Sequence, residues 1–182
     1  MSVSGLVEIR AATSADAQLV SEFGARTFRN AFAEQNTTDD TEAYLHDSFS
    51  AAKQLAEIQN VDWRTLIAEI DGTAVGYVQV CNEKGPECIA SRDRCVELRR
   101  IYVDKDWHGQ RIGEKLLEAA KDAARSLGAT TMWLGVWQKN EAAQRFYRRH
   151  GFRRVGAKIF QVGADPQRDD VLLCELDADI LL

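Results

Sequence analysis

Apolar residues in the first third of the chain recur mainly at helical spacing. Thr13 and Ser14 both suit a helix cap. The apolar positions that follow them are Leu19, Val20, Phe23, Phe28 and Phe32. This spacing predicts a helix, preceded by a first strand over residues 6–11. Further helical stretches are predicted near residues 39–49 and over residues 50–58.

The next part of the chain alternates with the period of β-strands. Asp71-Gly72 is a strong short hairpin signal, and it separates predicted strands over residues 64–70 and 74–81. Gly85-Pro86 interrupts the pattern before another strand that ends at Val103. We therefore expect a hairpin followed by a third strand.

The strand that ends at Val103 contains an irregularity. Val96 and Leu98 alternate, and so do Ile101 and Val103, but Arg99-Arg100 shifts the register between the two pairs. A shift of one residue is typical of a β-bulge, which often lies near an active site. A bulge would turn amides and carbonyls near Ile101 and Val103 outward, free to bind the amides of a ligand. The alternative is an irregular edge strand with exposed arginines.

The C-terminal half alternates between helix and strand. A helix is predicted over residues 110–127, with Gly128 suited to follow its end. Its predicted apolar face consists of Ile112, Leu116, Ala120, Ala123 and Leu127. Residues 130–137, 154–162 and 170–176 are predicted strands, and residues 141–150 a helix. This order predicts a mixed α/β sheet in which a parallel pair flanks the 110–127 helix.

The start of that helix is a candidate anion site. A β-branched strand leads into the turn Trp107-His108-Gly109-Gln110-Arg111-Ile112-Gly113, and the turn leads directly into the helix. The first amides of a helix have no internal partner and lie at the positive end of its dipole. We therefore expect phosphate groups of a ligand to bind at residues 109–113.

Composition restricts the class of protein. The chain has 182 residues, of which 45% are hydrophobic and 28% charged, as in a globular domain with a full core. We expect no membrane span and no signal peptide, because no apolar run has the required length and the N-terminus lacks a basic flank. The four cysteines lack the spacing of a zinc site, so we expect free thiols, no metal and a cytoplasmic location.

The charge distribution suggests what the protein binds. The net charge of −5 and the pI of about 5.3 argue against a nucleic-acid partner. Residues 30–62 are mainly acidic, whereas residues 92–154 are rich in arginine and lysine. A basic half suits an anionic cofactor and an acidic half a cationic substrate. Solvated helix faces are the alternative interpretation of both.

A series of motifs over residues 97–152 resembles the GCN5-related N-acetyltransferase (GNAT) superfamily. The series consists of Glu97-Leu98-Arg99-Arg100-Ile101-Tyr102-Val103, the 107–113 turn, Asn140, Phe146-Tyr147 and Gly151-Phe152. The resemblance implies one N-acetyltransferase domain over residues 1–182. It also implies the GNAT fold, an α/β fold with a mixed, mostly antiparallel sheet of about seven strands, a central splayed parallel pair and about four to five helices.

The resemblance also implies acetyl-CoA as co-substrate. The superfamily's pyrophosphate loop has the form Gln/Arg-x-x-Gly-x-Gly/Ala, which aligns with residues 108–113. His108 replaces the consensus Gln or Arg, and this change is easily tolerated because such a loop binds the pyrophosphate mainly through backbone N–H groups. Arg111 replaces a consensus glycine, and either crowds the pyrophosphate or pairs with it. We favour pairing, because Gly109 and Gly113 still allow a close backbone approach.

Further site residues are implied by the resemblance. The cofactor-binding residues would be Ile101, Tyr102, Val103, His108, Gly109, Gln110, Arg111, Ile112, Gly113, Glu114, Asn140 and Tyr147. Asn140 would contact the pantetheine arm. Tyr147 would lie near the thioester sulfur, the alternative being a core aromatic residue.

Direct acetyl transfer to an amine places three demands on the site. The amine must lose a proton, since its pKa is about 10. The oxyanion needs a donor, for which the N–H near Ile101 is our candidate. The leaving thiolate benefits from an acid, for which Tyr147 is our candidate. Glu97 is the candidate base, through a water, because some superfamily members have a catalytic glutamate there. A solvent-facing residue paired with Arg99 is the alternative for Glu97.

A narrower resemblance concerns the acceptor. Thr27-Phe28-Arg29, Trp133-Leu134-Gly135-Val136-Trp137 and residues 162–169 look like bacterial spermidine/spermine N-acetyltransferases of the Pai type, although Ala164, Pro166 and Arg168 depart from that group. The resemblance implies a polyamine acceptor. From their order along the chain, the candidate substrate-side residues are Phe28, Phe32, Glu34, Tyr44 and Trp137.

Other acceptors stay open. They are a protein N-terminus, a lysine and an aminoglycoside-like amine, and a CoA-binding module without catalysis is a further alternative. As partners we expect a small-molecule amine, no nucleic acid and no membrane, and the sequence leaves a homodimer open.

Overall fold

The chain forms a strand, three helices and three strands, and then alternates between helix and strand before two final strands. The computed structural model describes residues 5–32 and 37–176. The strands are β1 (Glu8–Ala11), β2 (Trp63–Ile70), β3 (Thr73–Cys81), β4 (Cys95–Val103), β5 (Thr131–Trp137), β6 (Arg153–Val162) and β7 (Asp165–Glu175). The helices are α1 (Ala17–Phe32), α2 (Thr38–Phe49), α3 (Ala51–Gln59), α4 (Ile112–Ser126) and α5 (Glu141–Arg149).

The seven strands of the described residues belong to one sheet with the order β1-β2-β3-β4-β5-β7-β6. Every neighbouring pair is antiparallel except β4 and β5, which are parallel. The parallel pair lies in the middle of the sheet, and α4 connects its strands, as a crossover between parallel strands requires. The predicted mixed α/β sheet is therefore confirmed.

The β2–β3 hairpin has the predicted turn. Asp71 and Gly72 both have positive φ, 50° and 74°. Two successive residues with positive φ are typical of the type I′ turn, whose twist matches that of the flanking strands. This short connection fixes the register in which β2 and β3 pair.

The irregularity in β4 is a β-bulge. Gln79 of β3 pairs with Arg100, and its neighbour Val80 pairs with Leu98, so Arg99 has no partner in the ladder. The prediction of a bulge is confirmed. The edge-strand alternative is wrong, because β4 lies between β3 and β5.

The parallel pairing of β4 with β5 is short. It extends only from Cys95 opposite Thr131 to Glu97 opposite Trp133. Beyond these residues the two strands diverge, and β5 continues to pair with β7 up to Trp137. The result is an open gap in the middle of the sheet, directly after the bulge.

Helices cover both faces of the sheet. Helix α4 buries Ile112, Leu116 and Leu117 against one face, in the main apolar cluster, to which Tyr147 of α5 also belongs. Helices α1 to α3 cover the other face, where Val20 contributes to a second cluster. Each fully buried Leu or Ile contributes about 1.5–3 kcal/mol to stability.

A buried ion pair joins the helical layer to the bulged strand. Arg100 donates hydrogen bonds to Glu57 at 2.7 Å, to the Gln79 side chain at 2.6 Å and to the Ser48 carbonyl at 3.0 Å. Both charged side chains are 4% exposed. Arg100 was included in the basic region expected to suit an anionic cofactor, but its charge is used inside the protein.

Some predicted boundaries are wrong. Strand β7 begins at Asp165 instead of residue 170, because its polar start pairs with β6 as far as the turn at Gly163, which has φ 55°. Helix α4 begins at Ile112 instead of residue 110, because Arg111 has left-handed backbone angles. The four cysteines are free thiols. Within the described residues, no helix combines the length and apolar character needed to cross a bilayer.

Candidate active site

The gap between β4 and β5 opens into a cavity of about 410 Å³. A second cavity lies at the start of α4. The residues shared by both cavities are Ile101, Val103, His108, Ala143 and Tyr147. The two cavities therefore form one continuous cleft, which runs from the N-terminus of α4 to the face covered by α1 and α2.

The loop before α4 has the geometry of an anion site. Gly109 has φ 80° with open space beside it. The first hydrogen bond of α4 runs from the Lys115 amide to the Arg111 carbonyl at 3.2 Å, so the preceding amides have no acceptor within the helix. Such amides fit a pyrophosphate group. The loop residues that line the second cavity are His108, Gly109, Arg111, Ile112, Gly113 and Glu114, whereas Gln110 lines neither cavity.

The backbone at Arg111 explains the consensus glycine. Arg111 has φ 59° and ψ 19°, the left-handed region that favours glycine. An arginine at this position therefore keeps the path of the loop at some cost in backbone strain. Its exposed side chain lies at the cavity where the phosphate groups are expected.

The prediction that the Val103 carbonyl is free is wrong. The Nε2 atom of His108 donates a hydrogen bond to the Val103 carbonyl at 3.0 Å. The imidazole thus connects the end of β4 to the loop. Ile101, the other position expected to offer backbone groups, lines both cavities.

Tyr147 lies where the two cavities meet. Its ring packs against Phe146 at 5.4 Å and Phe152 at 5.6 Å between ring centroids, and its exposed fraction is 9%. Burial raises the pKa of its phenol well above the ordinary value, so the hydroxyl is protonated at neutral pH and is available as a hydrogen-bond donor. Tyr147 is thus a core aromatic residue that also reaches the cleft.

Asn140 caps helix α5 and also lines the cleft. Its side-chain oxygen accepts a hydrogen bond from the Ala143 amide at 3.1 Å, which caps α5. It also lines the cavity between β4 and β5. This cap holds the first turn of α5, and with it Tyr147, beside the gap.

The end of this cavity beside α1 and α2 is aromatic. Four of the candidate substrate-side residues, Phe28, Phe32, Tyr44 and Trp137, line the cavity, and so does Phe160, which sequence reasoning missed. Ring centroids are 4.7 Å apart for Phe28 and Tyr44, and 5.5 Å apart for Tyr44 and Phe160. Glu34, the remaining predicted substrate-side residue, lies outside the described residues.

Glu97 is buried instead of solvent-facing. It is 5% exposed and accepts hydrogen bonds from Arg99 at 3.3 Å and from the Cys81 thiol at 3.6 Å. The ammonium group of Lys158 lies 3.7 Å from its carboxylate. Glu97 lines the cavity and pairs with Arg99, so the alternative interpretation is right about its partner and wrong about its exposure to solvent.

Sequence reasoning missed Asp169, which lines the same cavity. Burial raises the pKa of its carboxyl to about 6, Lys158 opposes this shift, and Asp170 adds to it. The residue lies opposite Trp137 in the β5–β7 ladder. The only sequence signal was the pair Asp169-Asp170 directly before the apolar residues 171–174.

The exposed acidic residues of α2 lie away from the cleft. Asp39, Glu42 and Asp47 of α2 are exposed and line neither cavity. Glu42 pairs with Arg29 at 2.8 Å. The solvated-face interpretation holds for these residues. Among the residues that the structure describes, the carboxylates on the wall of the 410 Å³ cavity are those of Glu97, Asp104 and Asp169.

Comparisons with known proteins agree with this geometry. The acetyltransferase (GNAT) family model matches residues 27–152. An N-acetyltransferase of Mycobacterium tuberculosis is 32% identical over 161 residues, which are 88% of this chain and 98% of that protein. A spermidine N(1)-acetyltransferase of Thermoplasma acidophilum is 25% identical over 151 residues, which are 81% of this chain and 88% of that protein.

A solved structure shows the same fold. The PaiA N-acetyltransferase from Thermoplasma acidophilum, crystallised in complex with coenzyme A, aligns with a TM-score of 0.75 and 21% identity over 93% of this chain and 99% of that chain. The family match and the 32% identical relative show that the chain belongs to the GNAT acetyltransferase family. It is an N-acetyltransferase that takes its acetyl group from acetyl-CoA.

Proposed function

We propose that this enzyme transfers the acetyl group of acetyl-CoA directly to a primary amine of a polyamine such as spermidine or spermine. The observation that carries the proposal is the acceptor end of the cleft, which combines aromatic rings with the carboxylates of Glu97 and Asp169. A polyamine is a flexible aliphatic chain with several positive charges. Aromatic faces attract ammonium groups, and carboxylates complement their charge.

The substrate-side residues follow from the same geometry. Phe28, Phe32, Tyr44 and Trp137 surround the methylene segments of the acceptor. The spermidine N(1)-acetyltransferase similar to this chain supports this substrate class. The polyamine proposal is narrower than the family assignment and does not affect it.

Acetyl-CoA enters from the α4 end of the cleft. Its pyrophosphate binds the amides of the loop and first turn of α4, with His108, Gly109, Arg111, Ile112, Gly113 and Glu114 as the contacting residues. The pantetheine arm follows the gap along Ile101, Tyr102 and Val103 and contacts Asn140.

The chemistry takes place where the cavities meet. The amine attacks the thioester carbon, and the N–H near Ile101 stabilises the oxyanion. Tyr147 donates a proton to the leaving thiolate. The cleft offers two carboxylates that can take the proton of the acceptor ammonium group, Glu97 through a water and Asp169.

Thiol release from acetyl-CoA with a panel of amines tests the proposal. The panel contains spermidine, spermine, putrescine, an aminoglycoside and a lysine peptide. Butylamine serves as the matched control for putrescine, because it has the same carbon chain with one charge. We expect the highest kcat/KM with spermidine or spermine, and faster turnover of putrescine than of butylamine.

Other outcomes refute the polyamine assignment. Equal rates with butylamine and putrescine would show that the second charge is not recognised. Preference for the peptide or the aminoglycoside would identify a different acceptor class. Tight acetyl-CoA binding without turnover of any amine would indicate a non-catalytic CoA-binding module.

A further inference from the structure

Asp169 approaches the cleft through a space that only glycine leaves open. A Cβ atom on Gly135 would lie 3.0 Å from the Asp169 Oδ2 atom and 3.3 Å from the Lys158 Nζ atom. Gly135 belongs to β5, on the wall of the gap. Its missing side chain therefore lets a carboxylate and an ammonium group converge beside the strand that borders the acceptor.

The carboxylate of Asp169 has no hydrogen bond to a described group, although the side chain is only 6% exposed. Asp169 thus differs from Glu97, which accepts hydrogen bonds from Arg99 and Cys81 and lies 3.7 Å from Lys158. The carboxylate of Glu97 is thus already engaged by an arginine, a lysine and a thiol, whereas that of Asp169 is left for the acceptor. Burial without hydrogen-bond donors favours the protonated form of Asp169.

The charged groups around Asp169 come from each neighbouring strand. Lys158 of β6 lies opposite Asp169 in the β6–β7 ladder, and Glu97 of β4 approaches the same lysine. Asp170 follows in β7 and points to the other face, where Arg154 and Gln138 donate hydrogen bonds to it at 2.8 Å. Burial opposes the ionisation of Asp170, but these donors outweigh it and lower its pKa. Of the two adjacent aspartates, only Asp169 is suited to accept a proton near neutral pH.

We propose that Asp169, and not Glu97, accepts the proton from the acceptor ammonium group. Glu97 is then a positioning residue, which holds Lys158 away from the carboxylate. The proposal rests on the acetylation of a primary amine and does not require that the amine be a polyamine.

The step balances without a further reactant. An N–H bond of the ammonium group breaks, and an O–H bond forms on Asp169. The neutral amine forms a C–N bond to the acetyl carbon, the C–S bond breaks, and the thiolate takes the Tyr147 proton. The phenolate regains a proton from the acetylated nitrogen, and Asp169 releases its own proton to solvent.

The pKa of Asp169 suits this step. An ammonium group has a pKa of about 10, so proton transfer to an ordinary carboxylate is unfavourable by roughly 10⁶-fold. With the carboxyl pKa at about 6, the same transfer is unfavourable by about 10⁴-fold. The carboxylate is still ionised at neutral pH, so it is ready to accept the proton.

The pH dependence of kcat/KM for Asp169→Asn and Glu97→Gln tests the proposal, with the best amine from the acceptor panel. We expect kcat/KM of the wild type to fall below about pH 6, which forms an acidic limb in the pH profile. Asp169→Asn should lower kcat by about 10²-fold or more and should abolish this acidic limb. Asp169→Glu should restore part of the rate, and Kd for acetyl-CoA should stay unchanged. Glu97→Gln should keep the limb.

Asp170→Asn is the matched control, because it removes the adjacent carboxylate on the opposite face. It should keep the rate near neutral pH and an acidic limb, which moves to a slightly lower pH because the charge of Asp170 contributes to the raised pKa of Asp169. Persistence of the limb in Asp169→Asn, or its loss in Glu97→Gln alone, would overturn the proposal.

Carbon-13 NMR of the aspartate carboxyls gives a readout that does not depend on the acceptor. A resonance that titrates near pH 6 in the wild type and is missing in Asp169→Asn is expected. If no such resonance exists, the proposal is overturned. The two proposals can fail separately. If the best acceptor is not a polyamine, and Asp169→Asn loses the acidic limb with it, the polyamine assignment is refuted and the role of Asp169 is supported. If the best acceptor is a polyamine, and Asp169→Asn keeps the acidic limb, the polyamine assignment is supported and the role of Asp169 is refuted.

Discussion

Glu97 and Trp133 are the last residues at which the parallel strands β4 and β5 pair. Two residues after Glu97, Arg99 lies outside the β3–β4 ladder as a bulge. A bulge bends its strand and increases the local twist. The divergence of β4 from β5 therefore begins at the bulge, and this divergence forms the cleft.

Replacement of Tyr147 by Phe should impair the chemical step more than cofactor binding. Burial keeps the phenol protonated, so the hydroxyl is a donor for the leaving thiolate. We expect kcat to fall by about 10²-fold, and KM for acetyl-CoA to change by less than about 3-fold. Steady-state kinetics measures both constants.

Tyr77→Phe is the matched control for this prediction. Tyr77 is buried in the other layer of the core, and its hydroxyl has no hydrogen-bond partner among the described residues. Loss of that hydroxyl should leave kcat unchanged. Wild-type activity of Tyr147→Phe would remove Tyr147 from the mechanism.

Replacement of Arg111 by Gly should change stability and cofactor binding in opposite directions. Glycine relieves the strain of a left-handed residue, so we expect a gain in stability of about 0.5–1 kcal/mol. Loss of the guanidinium should weaken acetyl-CoA binding by about 3- to 10-fold, and by less at high salt. Thermal unfolding and equilibrium binding measure the two effects.

Arg94→Gly separates these contributions, because Arg94 also has positive φ, 51°, and lines neither cavity. It should stabilise the protein to a similar extent without an effect on acetyl-CoA affinity. Unchanged or tighter acetyl-CoA binding in Arg111→Gly would mean that the arginine is merely tolerated in the loop.

Replacement of Gly135 by Ala should lower activity with little effect on folding. The new methyl group would lie 2.6 Å from the Lys158 Cε atom and 3.0 Å from the Asp169 Oδ2 atom. Both atoms are at the ends of side chains, which can move at a cost below about 1 kcal/mol. We expect kcat to fall by about 10-fold, because the carboxylate is displaced from the acceptor.

Acetyl-CoA binding and the melting temperature serve as the internal controls for Gly135→Ala, and both should match the wild type. An unchanged kcat would show that the positions of Lys158 and Asp169 do not matter for transfer.

The raised pKa of Asp169 predicts a gain in stability on its removal. The folded protein binds this proton more tightly than the unfolded chain, so ionisation of Asp169 opposes folding above pH 6. Asp169→Asn should therefore be more stable at pH 7.5, by about 1–2 kcal/mol after allowance for solvent screening. Differential scanning calorimetry should show the difference shrinking as the pH falls from 6 to 4. A constant or reversed difference would contradict the raised pKa.

The sequence predicts the fold well because its signals are local. The Asp71-Gly72 turn, the register shift at Arg99-Arg100 and the apolar face of α4 each depend on neighbouring residues, and the structure confirms them. The start of β7 is less predictable, because its polar residues follow the pairing with β6 instead of an apolar pattern.

The site is only partly predictable for the same reason. The residues around Gly109 and Tyr147 lie in motifs and reach the cleft. The environments of Glu97 and Asp169 depend on Lys158 and Gly135, which are distant in sequence and meet only in the folded sheet. Charge counts over residues 30–62 could not show that the acids of α2 face away from the cleft.

A crystal structure of the enzyme with a bisubstrate analogue, spermidine joined to coenzyme A through an acetyl bridge, is the most direct measurement. We expect the pyrophosphate on the first amides of α4 and the sulfur within about 3.5 Å of the Tyr147 hydroxyl. The acceptor nitrogen should lie closer to the carboxylate of Asp169 than to that of Glu97. A pyrophosphate bound away from α4, or a polyamine chain outside the aromatic end of the cleft, would contradict the proposed site.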